Sequence, residues 1–315
     1  MTVGEFWGSI SLLFPGMDSV TQTVALAGVC AILLTPLERL VPAAPQPLVW
    51  RKGFWLDAAY WFLTPILTRA VTGAILALLL FVGVWSIGFE NISSDVLVHG
   101  FGPLSHQPTW LQCLEILLLS DFVDYWTHRG FHLGPLWRVH AIHHSPQEMN
   151  WISSSRVHPL NDLLTRCCQL LPIIIFGFSA ISIISVVPLV AFYVMFLHSN
   201  VKWGFGPLRW VLVSPAYHRW HHTTDKEGID KNFAGIFPIW DVLFGTAYFP
   251  RSLPKSYGLT GEQIPESLLA HLVYPFRRSG GVAAEGGPGP SFPGNANLPI
   301  GRAEETPSVN QPTSP

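Results

Sequence analysis

Long apolar runs separated by short polar stretches fill the chain as far as Leu197. A helix needs about 20 apolar residues to cross about 30 Å of hydrocarbon. Val20 to Leu37 approaches that length before Glu38 and Arg39 mark an interface, and gives the first expected span. Tyr60 to Ile87 gives the second, long enough to tilt, with Pro65 and Arg69 in its first turns to bend it or to reach the interface by snorkelling. Trp110 to Trp126 forms the third and runs directly into a histidine motif. Leu170 to Leu197 is also dominated by apolar residues. A hairpin broken around Gly177 to Ser182, or near Pro188, fits it better than one span, because the orientation derived below returns the chain to the side it left. From about Arg278 the composition turns to Gly, Pro, Ser, Asn and Glu, which cannot bury enough surface to offset the entropy of ordering. Residues 279–315 therefore read as a disordered tail. The expected class is all-α, a polytopic membrane bundle over 20–278 with a histidine-rich helical cap, preceded by an N-terminal segment, 1–19.

Composition supports the membrane reading. Of 315 residues 49% are hydrophobic and 12% charged, whereas a soluble globular protein carries about a quarter charged residues. Lys plus Arg number 18 against 20 for Asp plus Glu, so no basic field exists to hold nucleic acid. Thirteen Trp suit a headgroup layer, where the ring is apolar and its N–H stays wet. Cys30, Cys113, Cys167 and Cys168 form no C-x-x-C pair and read as reduced structural thiols. The first apolar run lacks a basic leader and a small-residue cleavage site, and reads as a retained helix. Residues 1–19 and 88–109 contain no Lys or Arg, whereas 38–59 and the chain after 127 hold all of them except Arg69. The positive-inside rule then puts the N-terminus outside, the first loop in the cytoplasm, 88–109 outside and the end of the third helix inside. With the hairpin returning, ten histidines share the cytoplasmic face.

Those histidines fall in three clusters: His128-x-x-x-His132, His140-x-x-His143-His144 and His218-x-x-His221-His222, with His158 and His198 as single additions. Residues at i, i+3 and i+4 share a helical face, so each cluster can direct two or three imidazoles at one point. At this histidine frequency an H-x-x-x-H arises by chance roughly 0.5 times and an H-x-x-H-H roughly 0.02 times. Two such triplets are a metal-ligand pattern. Eight to ten imidazoles are too many for one ion, since structural zinc closes with four ligands and catalytic zinc uses three. Two metals with four or five histidines each use the set, and imidazole suits iron, copper, nickel and zinc alike.

HRGFH at 128–132, HAIHH at 140–144 and HRWHH at 218–222, flanking a membrane hairpin, resemble the fatty acid hydroxylase and sterol desaturase superfamily. RVHPL at 156–160 and DKNFAGIFPIWDVLFGT at 230–246 add to the resemblance, which covers roughly residues 30–250 and looks like the bacterial branch. The three-residue gap in the first cluster is more similar to the sterol desaturase and methyl-oxidase branch than to the fatty acid 2-hydroxylases. The resemblance implies two iron ions in a non-haem centre that use O₂ to hydroxylate or desaturate a C–H bond of a sterol-like or fatty acyl lipid. A C–H bond offers no leaving group, so a redox-active metal has to do the hard step. Electrons are expected from a separate donor, cytochrome b5-like or a ferredoxin with its reductase.

Around the clusters, His158 in the R-x-H-P pattern and His198 at the hairpin's end are expected to complete the ligand set. Asp124, four residues before His128, is expected to orient a ligand imidazole, the rival reading being a pairing with Arg129 or Arg138; Asp121 belongs to the same polar strip. Asp241 has the same expected role, or that of a cap or turn acceptor. Trp137, Trp151, Phe192 and Trp220 line a lipid channel or simply belong to the core and interface belt, whereas His99, His106 and His271 read as structural. No G-x-S-x-G, P-loop or G-x-G-x-x-G competes. Two other classes stay open: a membrane zinc-dependent hydrolase acting on a polar lipid bond, and a non-enzymatic metal-binding membrane protein. O₂ and reductant dependence separates the first from an oxygenase, and ligands near the bilayer midplane would mark a transporter.

Overall fold

The computed structural model describes residues 19–47, 51–87, 98–261 and 263–277, all of them helical or irregular apart from two isolated bridges, Pro42 to Val201 and Thr223 to Tyr257. The expected tail, and the N-terminal segment up to its last residue, lie outside the described residues. Among the described residues two helices, over Thr23–Leu40 and Ala180–His198, are long and apolar enough to cross a membrane.

The first expected span is α1, Ser19–Leu40. It does not stop at Leu37, because Glu38 is buried rather than interfacial and accepts the backbone N–H of Trp151 and of Asn200, each at 2.8 Å. The second span lies in α2, Phe54–Ile87, which starts one and a half turns before Tyr60. Its first turn holds Asp57, buried between Arg51 and Arg156, where a carboxylate also suits the positive end of the helix dipole. Pro65 stands within the continuous helix, and the side chain of Arg69 lies outside the described residues.

After a short helix α3, Gly102–Ser105, the third expected span is α4, Thr109–Phe131. It carries Glu115, Asp121 and Asp124 and is not among the two helices apolar enough to cross a membrane. It also runs past Trp126, so the first histidine cluster sits on its last turn. A one-turn 3-10 segment, Gly134–Leu136, leads to α5, Trp137–His144.

The 170–197 stretch is a hairpin whose first arm begins well before the expected start. That arm, α6, is Pro159–Phe176; it ends at Gly177, left-handed at φ +70°, and α7, Ala180–His198, follows with Ser179 accepting the N–H of Ser182 as its cap. The break is at Gly177 and not at Pro188, which α7 accommodates. A Cβ on Gly177 would lie 2.3 Å from the carbonyl oxygen of Phe101, so the turn can pack against residues 100–101 only as glycine. Three short α-helices follow among the described residues: α8, Pro215–His221, α9, Ile239–Leu243, and α10, Leu268–Val273.

The C-terminal ends of α1, α4 and α7 and the N-terminal ends of α2 and α6 lie at one end of the bundle. Glu38 ties α1 to Trp151 and Asn200, Asp57 ties α2 to Arg156, and His198 at the end of α7 stands beside His143. The apolar interior below includes Cys30, Leu34, Trp61 and Ile152 in one group and Ile116, Ile173, Phe178 and Val186 in another. The buried histidines, Glu38, Asp57 and Arg156 are thereby collected at a single end.

Candidate metal centre

Four helix termini bring nine of the ten expected imidazoles into two groups. His128, His132, His140, His144 and His221 form one, and His143, His198, His218 and His222 the other, with the ligand nitrogens in each group all within 4.8 Å of one another. The two H-x-x-H-H triplets do not each aim at one point. On α5 the i, i+4 pair His140 and His144 joins the five-histidine group while His143 joins the four; on α8 the pair His218 and His222 joins the four while His221 crosses to the five. Successive residues on a helix diverge by about 100°, so an i+3 neighbour can face the second of two adjacent points. Each triplet thus bridges both groups.

The proton positions follow from the partners. His128, His143 and His221 donate Nδ1–H to the carbonyls of Phe233 (2.8 Å), Arg156 (3.3 Å) and Lys231 (2.8 Å). His198 donates to the carbonyl of Val194 (2.9 Å), His140 to Asn161 Oδ1 (2.7 Å) and His132 to Asp230 Oδ1 (2.9 Å). A neutral imidazole that donates from Nδ1 carries a lone pair on Nε2. Burial, then the charge of neighbouring imidazoles, holds His140, His143, His144, His218, His221 and His222 well below the usual histidine range, so they are neutral.

These lone pairs face one another. Nε2 of His128 is 3.1 Å from Nε2 of His140, and Nε2 of His143 is 3.1 Å from Nε2 of His198, with no proton available to either pair. Nε2 of His132 and of His221 are buried with no hydrogen-bond partner. Such contacts repel unless a cation lies between them. With metal–nitrogen bonds of about 2.0–2.1 Å, neighbouring ligands on one ion stand about 3 Å apart, which is the spacing found. The residues fit two metal ions, one in each group.

Residues 113–246 match the family model described as fatty acid hydroxylase. The match takes in a little under half of the chain. It contains all nine grouped histidines. The chain is 31% identical over 175 residues to ornithine lipid hydroxylase OlsE of Rhizobium tropici, covering 55% of this chain and 53% of that protein. It is 33% identical over 141 residues to alkylglycerol monooxygenase of Homo sapiens (44% of this chain, 31% of that one). It is 27% identical over 150 residues to methylsterol monooxygenase erg25A of Aspergillus fumigatus (46% and 49%). The chain therefore spans about half or less of the length of these curated relatives. No solved structure matches it.

The remaining expected site residues have other partners. His158 belongs to neither group: Nδ1 accepts the N–H of Leu160 as the cap of α6, and Nε2 lies 3.2 Å from the carbonyl of Leu272. Where a ligand was expected, a helix cap stands. Asp124 reaches no imidazole and accepts from Gln169 at 3.2 Å. Asp241 acts at one remove. It accepts the N–H groups of Phe233 (2.8 Å) and Ala234 (2.9 Å) and the hydroxyls of Tyr217 and Thr246, and the carbonyl of the same Phe233 holds His128. Asp121 accepts the N–H groups of Gly235, Ile236 and Phe237 and the indole of Trp240. Two buried carboxylates thus fix five consecutive amides of the loop that carries the carbonyl partner of His128.

Of the four aromatic residues expected near the site, only Trp137 stands beside imidazoles, 5.1 Å from His132 and 5.3 Å from His144. Trp151 packs edge-on to Trp61, Phe192 joins the same core, and Trp220 donates to the Ser252 carbonyl. Sequence reasoning missed Asn161, Asp230, Phe233 and Arg219. Arg219, fully buried, donates to the carbonyls of Ser199 and Met149 and so locks α8 to the end of α7, where His218 and His198 stand 3.2 Å apart. Asn161 lies one residue beyond the quoted RVHPL stretch, and Asp230 and Phe233 inside DKNF, so their neighbourhood was visible although their partners were not. His99, His106 and His271 stand outside both groups.

Proposed function

We propose that the chain is a membrane-bound non-haem di-iron oxygenase that hydroxylates or desaturates a C–H bond of a lipid, with O₂ as co-substrate and electrons from a separate cytochrome b5-like or ferredoxin-type donor. The observation that carries this is the facing of unprotonated Nε2 lone pairs in two adjacent groups inside the stretch that matches the fatty acid hydroxylase family model. The ligands are His128, His132, His140, His144 and His221 to one ion and His143, His198, His218 and His222 to the other. Two irons would supply O₂ activation and the electrons' landing point, the step for which no side chain offers chemistry.

The protein's own residues do the rest. Carbonyl, carboxamide and carboxylate acceptors fix His128, His132, His140, His143, His198 and His221 in the Nδ1–H tautomer, which keeps Nε2 free and raises its basicity. Phe131, stacked on His140, and Phe233, against His128, His132 and His221, exclude water from the five-histidine side. The relatives named for an ornithine lipid, an alkylglycerol and a methylsterol support a lipid substrate, either sterol-like or fatty acyl. Collection of the histidines at one end of the bundle, together with the distribution of Lys and Arg, supports a multi-pass topology with the centre on the cytoplasmic face, Asp241 orienting His128 through the backbone, and the N-terminus outside.

The test is iron and zinc per chain in mild detergent, for the wild type and for His143→Ala and His221→Ala. About two irons per chain, with one lost in each variant together with an O₂- and reductant-dependent lipid product, is the expected result. Full iron and activity in both variants would refute the assignment, and turnover without O₂ or reductant would favour a zinc hydrolase.

A further inference from the structure

We infer that a second site, on the back of the metal-carrying helix α8, holds the anionic headgroup of a membrane lipid. A cavity of about 260 Å³ is lined by Lys202, Arg209 and Arg251, with Tyr217, Trp220 and Phe249 as aromatic walls, and no carboxylate lines it. Trp220 spends its indole N–H on the Ser252 carbonyl and Tyr217 its hydroxyl on Asp241. The cations are different: among the described residues no hydrogen bond or ion pair engages the side chains of Lys202, Arg209 or Arg251, and Arg209 only lies over the ring of Trp210 at 5.4 Å. Three unpaired cations around one concavity repel each other, and an anion relieves that repulsion.

The surroundings select a lipid over a free anion. Lys202 follows the end of α7, a helix long and apolar enough to cross a membrane, by four residues. Between Lys202 and Ser214 the chain exposes Trp203, Leu208, Trp210 and Val211, each more than 40% accessible. Apolar and Trp side chains with Lys and Arg among them are the composition that seats at the boundary of acyl chains and headgroups. The loop thus places its apolar residues beside a cationic cavity, which suits a molecule that is apolar at one end and anionic at the other. Phosphate and carboxylate headgroups share this chemistry. The inference does not depend on iron, because none of the three cations belongs to either histidine group.

The experiment is ligand-induced thermal stabilisation of the full chain in a neutral detergent, with three soluble probes: dihexanoylphosphatidylglycerol, dihexanoylphosphatidylcholine and inorganic phosphate. The triple variant Lys202→Ala, Arg209→Ala, Arg251→Ala is run alongside, and metal content is measured in both proteins to show that the centre is intact. The expected result is at least about tenfold tighter binding of phosphatidylglycerol than of phosphatidylcholine or phosphate, lost in the variant while metal content stays at the wild-type value. Equal binding of the two lipids, or a preference that survives in the variant, would overturn the site. Phosphate binding as tightly as phosphatidylglycerol would overturn the lipid as its occupant. Should the variant lose metal or fail to fold, the single charge reversal Arg251→Glu, at an exposed position, gives the same readout.

Discussion

His158 and His198 look alike in the sequence, each a lone histidine near a cluster, and the atoms around them assign opposite roles. His198 donates Nδ1–H to the carbonyl of Val194 and turns Nε2 towards His143, whereas both nitrogens of His158 are taken by Leu160 N–H and the Leu272 carbonyl. Replacing His198 by alanine is expected to remove one of two bound metals. Replacing His158 by alanine is expected to leave metal content unchanged and to cost about 1 kcal/mol through loss of the α6 cap. Metal analysis together with melting temperature reads both, and metal loss in the His158 variant would return it to the ligand set. A second prediction concerns Asn161, among the described residues the only side-chain amide holding an imidazole of the centre. Asn161→Leu leaves His140 Nδ1–H without its acceptor and frees the ring to rotate, so metal affinity should drop by about 10–100-fold in chelator competition with little change in secondary structure.

Among the elements, the loop from Phe233 to Phe237 has no regular structure yet is held as firmly as a helix. Asp121 of α4 and Asp241 of α9 accept its five consecutive N–H groups, and Gly235 approaches Asp121 and Asp124 so closely that a Cβ there would lie 3.3 and 3.2 Å from their carboxylate oxygens. Asp121→Ala orphans three backbone donors and the Trp240 indole in a buried setting, at about 1–3 kcal/mol for each unsatisfied group. The expected outcome is a loss of more than about 3 kcal/mol of stability, with the metal sites failing at the five-histidine group first, because the loop that carries the Phe233 carbonyl loses its anchor at 235–237 and keeps only Asp241. Denaturation in detergent and metal content per chain check it; unchanged stability would show that the loop is held by something else. The helical phase of each cluster was legible from spacing, since i, i+3 and i+4 define a face within a single element. The division of each triplet between two groups was not, because it depends on where a second helix presents its own imidazoles.

For the molecule as a whole, collecting so many neutral imidazoles at one end has a signed consequence. Burial and mutual repulsion hold the six α5 and α8 histidines well below their ordinary value, and burial, then the charges of Arg156 and His158, hold His271 down to about 4. In the unfolded chain these groups titrate near about 6.5. Below that pH the unfolded state takes up protons that the folded state does not, so stability rises with pH through this window and is complete above it. For the metal-free protein the melting temperature should fall as pH drops from about 6.5 towards 4 and stay level just above about 7.5. A melting temperature that rises on acidification would mean the imidazoles are protonated in the fold, and would contradict the tautomers that leave Nε2 free.

The sequence by itself determined what is local. Apolar runs set where long helices form, turn residues such as Gly177 set where the hairpin breaks, and three or four residues of spacing set which histidines share a helical face. Counting ligands also made it legible that the histidines are too many for one group. Tertiary packing alone decided the contacts that give those residues their roles: His143 meets His198 across 55 positions, His128 finds the Phe233 carbonyl across 105, and Glu38 reaches Asn200 across 162. Helix periodicity arises from hydrogen bonds four residues apart and can be read along the chain. A carbonyl that fixes a tautomer, or a carboxylate that fixes a loop, is chosen by how distant elements pack, and no spacing in the sequence records that choice.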